Sequence, residues 1–215
     1  DGLAAIYVTP PIPGAERRIA EVRILAGTLA GAGPLTGSAL SWTPDGRWLV
    51  VAGVGQSDDE NGLFLLPVES GQRRTIVVGS TASMRFGAPV MSRSGDALAY
   101  SSCPPTLQAC QIWLQPLASD FSPQGDPRRL TNLQGTFSGM AWTPDDEALI
   151  VSLTMSQGAF SYLWRVPAGG GEPTRLDWAG SSVRDPTLSR TGRLAFSTSN
   201  TVVDIWRFDL SAPGA

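Results

Sequence analysis

The chain has 215 residues, of which 42% are apolar, with a net charge of −3 and a pI near 4.9; this excludes a disordered segment and the basic footprint of a nucleic-acid binder. All 16 basic residues are Arg, so there is no Schiff-base amine, no phosphate-loop lysine and no imidazole to act as general base or metal ligand. No apolar run approaches the ~18 residues that a spanning helix needs.

Read in order, the chain opens on Ala4-Ala5-Ile6-Tyr7-Val8-Thr9-Pro10, an extended apolar segment followed by the polar-apolar alternation Glu16-Arg17-Arg18-Ile19. This pattern returns. Leu63-Phe64-Leu65-Leu66-Pro67, Ile112-Trp113-Leu114-Gln115-Pro116, Leu163-Trp164-Arg165-Val166-Pro167 and Ile205-Trp206-Arg207-Phe208-Asp209 each carry an aliphatic-aromatic pair with Pro or Asp three residues after the aromatic. Proline lacks the N–H that a ladder needs, so pairing should stop there. Arg73-Arg74-Thr75-Ile76, Arg128-Arg129-Leu130-Thr131 and Thr174-Arg175-Leu176 follow three of these pairs as half-wet strands, suited by their charge to a sheet edge.

Between these pairs lies a turn unit, Trp42-Thr43-Pro44-Asp45-Gly46. Pro44 presets φ, Asp45 can accept from the backbone two residues on, and Gly46 takes positive φ without steric cost. Its relatives are Met91-Ser92-Arg93-Ser94-Gly95, Trp142-Thr143-Pro144-Asp145-Asp146 and Leu188-Ser189-Arg190-Thr191-Gly192, so that positions 46, 95, 146 and 192 lie 49, 51 and 46 residues apart. Periods of this size mark propellers or solenoids. The runs after the turns, Trp48-Leu49-Val50-Val51-Ala52 and Ala148-Leu149-Ile150-Val151-Ser152, are almost wholly apolar, as strands covered on both faces should be.

The reading is an all-β, β-propeller chain of four-stranded antiparallel blades, one domain over 1–215. Blades are expected at about 38–77, 87–131 and 138–176, with partial blades at 1–20 and 184–210. These four to five repeats suit an arc of a larger six- to seven-bladed propeller better than a small ring closed by the N-terminal strands. The chain opens at Asp1 and is read as a piece of a longer protein.

The turn unit, the Ile/Leu-Trp pairs and Glu172-Pro173-Thr174-Arg175-Leu176 together resemble the WD-repeat-like propeller repeat of TolB and its relatives, across nearly the whole chain. Gly139-Met140-Ala141-Trp142-Thr143-Pro144-Asp145, Leu163-Trp164-Arg165-Val166-Pro167 and Asp204-Ile205-Trp206-Arg207-Phe208-Asp209-Leu210 are most similar to the C-terminal propeller of CadC-type winged-helix transcriptional regulators. The resemblance implies turn and core roles for Trp42, Pro44, Asp45, Gly46, Trp113, Trp142, Pro144, Asp145, Trp164 and Trp206. It also implies a non-catalytic bacterial module that senses or docks a protein or small ligand, with any winged helix upstream.

Chemistry-bearing groups are sparse. Ser57-Asp58-Asp59-Glu60-Asn61-Gly62 lacks the alternating spacing of a calcium loop and reads as a solvated turn, so no metal is assigned. Asp45, Asp145 and Asp146 fall on different repeats and read as turn caps, not as a glycosidase pair. A hydroxyl nucleophile would lack a base within the chain, and no cofactor or catalytic residue is assigned. Prolyl-oligopeptidase-type serine peptidases, which use propellers to gate access, supply the alternative reading.

Cys103 and Cys110 bracket a loop between two expected strands and can form a disulfide, worth roughly 2–2.5 kcal/mol in the chain-entropy treatment. A disulfide points to a periplasmic or other extracytoplasmic setting, the alternative being cytoplasmic. In such blades the connections between strands two and three, and from one blade to the next, share one end and are the longer ones here. Scaffolded variable loops are where binding resides. Partner contacts are therefore assigned to Asp58, Asp59, Arg85, Phe86, Arg184 and Asp185 on that face.

Overall fold

The structure, a computed structural model, describes residues 2–9, 16–24, 40–57, 59–106, 109–133, 135–155 and 160–198. Asp58 and Trp206, with the repeat copy around Trp206, lie outside the described residues.

The strands in chain order are β1 (Gly2–Val8), β2 (Arg17–Ile24), β3 (Leu40–Trp42), β4 (Trp48–Val54), β5 (Glu60–Pro67), β6 (Arg74–Ser80), β7 (Arg85–Met91), β8 (Ala97–Cys103), β9 (Gln111–Pro116) and β10 (Arg128–Arg129). They continue as β11 (Gly135–Trp142), β12 (Ala148–Met155), β13 (Ser161–Pro167), β14 (Thr174–Arg175), β15 (Val183–Leu188) and β16 (Leu194–Thr198). A single 3₁₀ turn, Asp177–Ala179, is the one helical element among the described residues.

Each sheet is an antiparallel meander. The orders β3-β4-β5-β6, β7-β8-β9-β10 and β11-β12-β13-β14 give three four-stranded sheets, flanked by the pairs β1-β2 and β15-β16. The first strands β3, β7, β11 and β15 touch in succession, so the sheets radiate from a common inner wall. That is the blade arrangement of a β-propeller. β5, β9 and β13 end at Pro67, Pro116 and Pro167, where the ladder loses its donor. The basic outer strands β10 and β14 keep only two paired residues each.

The apolar second strands are explained by where their side chains go. On β4, Leu49 and Val51 pack with Ile6 and Val22 of the first pair, while Val50 and Ala52 pack with Met91, Leu98 and Tyr100 of the next sheet. On β12, Leu149, Val151 and Leu153 meet Ile112 and Leu114, while Ile150 meets Val183. Each core cluster is an interface between neighbouring sheets. No sheet here could bury its faces alone, and each fully buried aliphatic contributes about 1.5–3 kcal/mol.

The inner strands share a further device. Their registers shift between Gly87 and Val90, between Phe137 and Gly139, and between Arg184 and Thr187. Ala88 and Asp185 take positive φ (46° and 51°) just before Pro89 and Pro186. A bulge lets a proline sit in a strand without a ladder donor and turns one residue towards the inner wall. At the equivalent place β11 has Gly139, where a Cβ would lie 3.0 Å from Asp185 Cα and from Pro186 Cδ. Glycine permits that approach of β11 to β15. Behind it, Ser138 Oγ donates to Ser152 Oγ (2.7 Å), and Ser152 and Ser161 both donate to Val183 O (2.6 Å each), satisfying buried hydroxyls across the same interface.

Candidate functional site

Two ends of the blades compete as functional faces. At the end carrying the turns between first and second strands, the repeat unit folds as a hydroxyl-carboxylate clamp. Thr43 Oγ1 donates to Asp45 Oδ1 (2.6 Å) and accepts from the Trp48 amide (3.1 Å), while the Arg47 amide donates to Asp45 Oδ1 (3.0 Å). The third blade repeats it through Thr143, Asp145, Glu147 and Ala148 at 2.6, 3.1 and 3.0 Å. Burial pushes the Asp45 carboxyl up, but the bonds from Thr43 and Arg47 and the Arg47 charge outweigh it and hold it below its ordinary value. The Thr143 and Glu147 bonds do the same for Asp145. In the second blade Ser92 takes the threonine's place, donating to Asp96 (3.0 Å) and accepting from Ala97 (3.0 Å). In the last pair Ser189 accepts from Arg193 (3.0 Å). These hydroxyls escaped sequence reasoning, which credited the turn to Pro, Asp and Gly; their recurrence directly after Trp42, Met91, Trp142 and Leu188 was the available signal.

Asp146 also exceeds its assigned part. It takes the positive φ (55°) that glycine takes elsewhere, and its two oxygens accept the Arg93 and Ser94 amides of the preceding blade at 2.9 and 2.8 Å. Arg93 in turn donates through Nη2 to Leu188 O (2.8 Å) and Ser189 O (3.0 Å). Three turns are thus laced together around the inner wall. They border a cavity of about 600 Å3 whose lining includes Trp42, Arg93, Ser92, Thr43 and Arg190, with no carboxylate among the lining residues.

The motif tryptophans part company. Trp142 is buried and donates from Nε1 to Val90 O (3.0 Å) on the preceding blade. Trp42, given a core role by the resemblance, is 49% exposed. This corrects that expectation. The sheet before β3 is only the pair β1-β2, so among the described residues no inner strand stands where β7 stands for Trp142. Trp113 and Trp164 are half-buried against the cores between sheets, each with a buried Nε1 that lacks a partner.

At the opposite end, the residues assigned to partner contact are dispersed. Asp59 is exposed, and its carbonyl accepts from the Thr81 amide (2.8 Å). Arg85 and Phe86 begin β7; Phe86 is half-buried, meets Tyr100 edge-on at 5.8 Å between centroids, and donates its amide to Asn61 Oδ1 (3.0 Å). Phe86 is therefore part of the packing between blades. Burial around this pair raises the Tyr100 pKa to about 12. Arg184 and Asp185 are exposed on β15, where Asp185 lines a second cavity of about 250 Å3 together with Ala88, Pro89 and Gly139. That cavity includes neither Asp59 nor Arg85.

Cys103 and Cys110 are joined in a disulfide, with Cα atoms 4.1 Å apart and both residues fully buried. The Cys110 amide donates to Gly135 O (3.0 Å), tying this long-face loop to the next blade. Among the described residues, no group of three or more Cys, Asp and Glu side chains gathers as a metal ion would require. No helix among the described residues is long and apolar enough to cross a membrane.

Radial four-stranded sheets with laced inner turns define a β-propeller. Neither a protein-family model nor a curated protein matches the sequence. Among solved structures the chain is similar to TolB from Acinetobacter baumannii, with a TM-score of 0.67 and 19% identity over 92% of this chain and 44% of that one. It is similar also to a puromycin-hydrolyzing peptidase from Mycobacterium tuberculosis (TM-score 0.54, 18% identity, 74% of this chain, 27% of that one). A third is prolyl oligopeptidase B from Galerina marginata (TM-score 0.53, 14% identity, 71% of this chain, 23% of that one). At such identities the likeness establishes the fold, which is TolB-like. The chain spans less than half the length of each of these three proteins.

Proposed function

We propose that the chain is a non-catalytic binding or sensor module of a larger bacterial protein, either a TolB-like envelope protein or a regulator of the CadC type, which engages a protein or ligand through its long-loop face. The observation that carries this reading is the blade scaffold itself: the carboxylates Asp45, Asp145 and Asp146 are spent on turns and blade-blade contacts, and the chain has no histidine or lysine to serve as a base. Asp59, Arg85, Arg184 and Asp185 supply charge at the long-loop end, with Asp58 assigned there from the sequence; Phe86 acts by holding β7 in place. The disulfide between Cys103 and Cys110 supports an extracytoplasmic setting.

Site-specific photo-crosslinking tests the face. With the photoreactive residue placed at 59, 184 or 185 in the parent protein, crosslinks to a partner are expected, and none from 47 or 72 at the other end. The reverse pattern overturns the assignment. The similarity to two peptidases favours a second reading, an access-gating propeller of a prolyl-oligopeptidase-type enzyme. A Gly-x-Ser-x-Gly hydrolase segment downstream in the parent reading frame selects that reading; an upstream winged helix selects the regulator.

A further inference from the structure

We propose that the cavity among the inner turns, at the end opposite the long-loop face, is a binding site for a carboxylate carried on a flat apolar body. It goes beyond the long-loop reading and does not depend on it.

The argument rests on which polar groups in the cavity are still open. The lining hydroxyls are spent: Thr43 Oγ1 serves Asp45 and the Trp48 amide, and Ser92 Oγ serves Asp96 and the Ala97 amide. The nearby Asp146 carboxylate is occupied by two backbone amides. Among the lining side chains, the polar groups that remain are all donors. Arg190 makes no ion pair or hydrogen bond among the described residues, the indole N–H of Trp42 is likewise unpaired, and Arg93, whose Nη2 bonds only neutral carbonyls and whose buried Nε has no partner, brings a guanidinium charge with no carboxylate paired to it. Two guanidinium groups and an indole donor, with no lining carboxylate to neutralise them, form an acceptor-hungry pocket in a chain of net charge −3. A carboxylate matches guanidinium geometry, and its charge-assisted bonds are the strong ones. The half-exposed face of Trp42, with Met91, Pro44 and Pro144, gives a flat apolar wall for the rest of the ligand. A volume of about 600 Å3 lies within the range of small-ligand sites.

The carboxylate could belong to a free aromatic acid or to the C-terminus of a peptide. Titration calorimetry on the chain with benzoate, and with Ala-Ala-Phe bearing a free or an amidated C-terminus, separates these sources. Benzamide is the uncharged control. Saturable binding of benzoate, of the free-acid peptide or of both is expected, with benzamide and the amidated peptide silent. Arg190→Gln, at an exposed position, should weaken binding about tenfold or more, whereas Arg129→Gln on the outer strand β10 should not change it. Should neither acid bind, or benzamide bind as well as benzoate, or Arg190→Gln weaken binding less than tenfold, the site is not a carboxylate site. Arg93→Gln removes the second guanidinium charge and is scored only with its melting profile, because Arg93 also holds Leu188 and Ser189. Crosslinking from positions 59, 184 and 185 is unaffected by either outcome, so the two proposals fail separately.

Discussion

The turns at Trp42–Gly46 and Trp142–Asp146 begin with the same four residues and end in different surroundings. Both clamp themselves by the same threonine-aspartate bonds, with the same donor-acceptor distance of 2.6 Å. Outside the turn they diverge: Trp142 is locked to Val90 of the preceding blade and Asp146 reaches back to Arg93 and Ser94, while Trp42 is half-exposed and Gly46 has no atom within 4 Å of where a Cβ would stand. Local sequence determines the turn; the neighbouring blade determines what the turn is worth.

Substitution should separate the two contributions. The largest difference is expected at the tryptophans: Trp142→Ala should cost about 3–5 kcal/mol in denaturant unfolding, and Trp42→Ala less than about 1–2 kcal/mol. Equal losses would mean that the exposed and buried environments are not as described. Next comes Asp146→Gly, which removes the bonds to the preceding blade while glycine accepts the positive φ without steric cost. A loss of about 2 kcal/mol is expected. A gain of about 1 kcal/mol, which is what glycine alone contributes at a positive φ, would show that those bonds contribute nothing.

Smaller effects should fall equally on both turns. Thr43→Ala and Thr143→Ala are each expected to lose about 1 kcal/mol, because each hydroxyl serves its own turn. A clear gap between them would mean that neighbours reach into the clamp. Acid should act in the same way. Asp45 and Asp145 have folded pKa values below their ordinary one, so their bonds contribute fully above the unfolded value near 4 and fade as pH falls through the folded value. Asp45→Asn and Asp145→Asn should each flatten the loss of stability below about pH 4, and to a similar extent. An unchanged acid limb in both variants would remove these carboxylates from the explanation.

What the sequence discloses follows the same line. The apolar runs at β4 and β12 were legible because alternate residues enter two different interfaces, leaving no polar side. The turns were legible because proline, aspartate and glycine constrain the backbone locally. The disulfide was legible because a short loop joins its ends. The links from Asp146 to Arg93 and from Arg93 to Leu188 were not, since they join positions 53 and 95 residues apart and depend on how blades are rotated about the axis. The inner cavity was hidden for the same reason, because its lining comes from four turns. The long-loop residues were chosen because they fall in the longer connections, which put Phe86 in a loop; β7 starts at Arg85, and the contact of Phe86 with Tyr100 turns its ring in.

Amide hydrogen exchange at Arg93 and Ser94 tests the stacking of successive blades most directly. These two amides should be protected in the unaltered chain and should exchange much faster in Asp146→Gly, while the Arg47 and Glu147 amides, bonded within their own turns, stay as they were. Exchange at Arg93 and Ser94 that is fast from the start, or indifferent to the loss of the Asp146 carboxylate, would contradict the account.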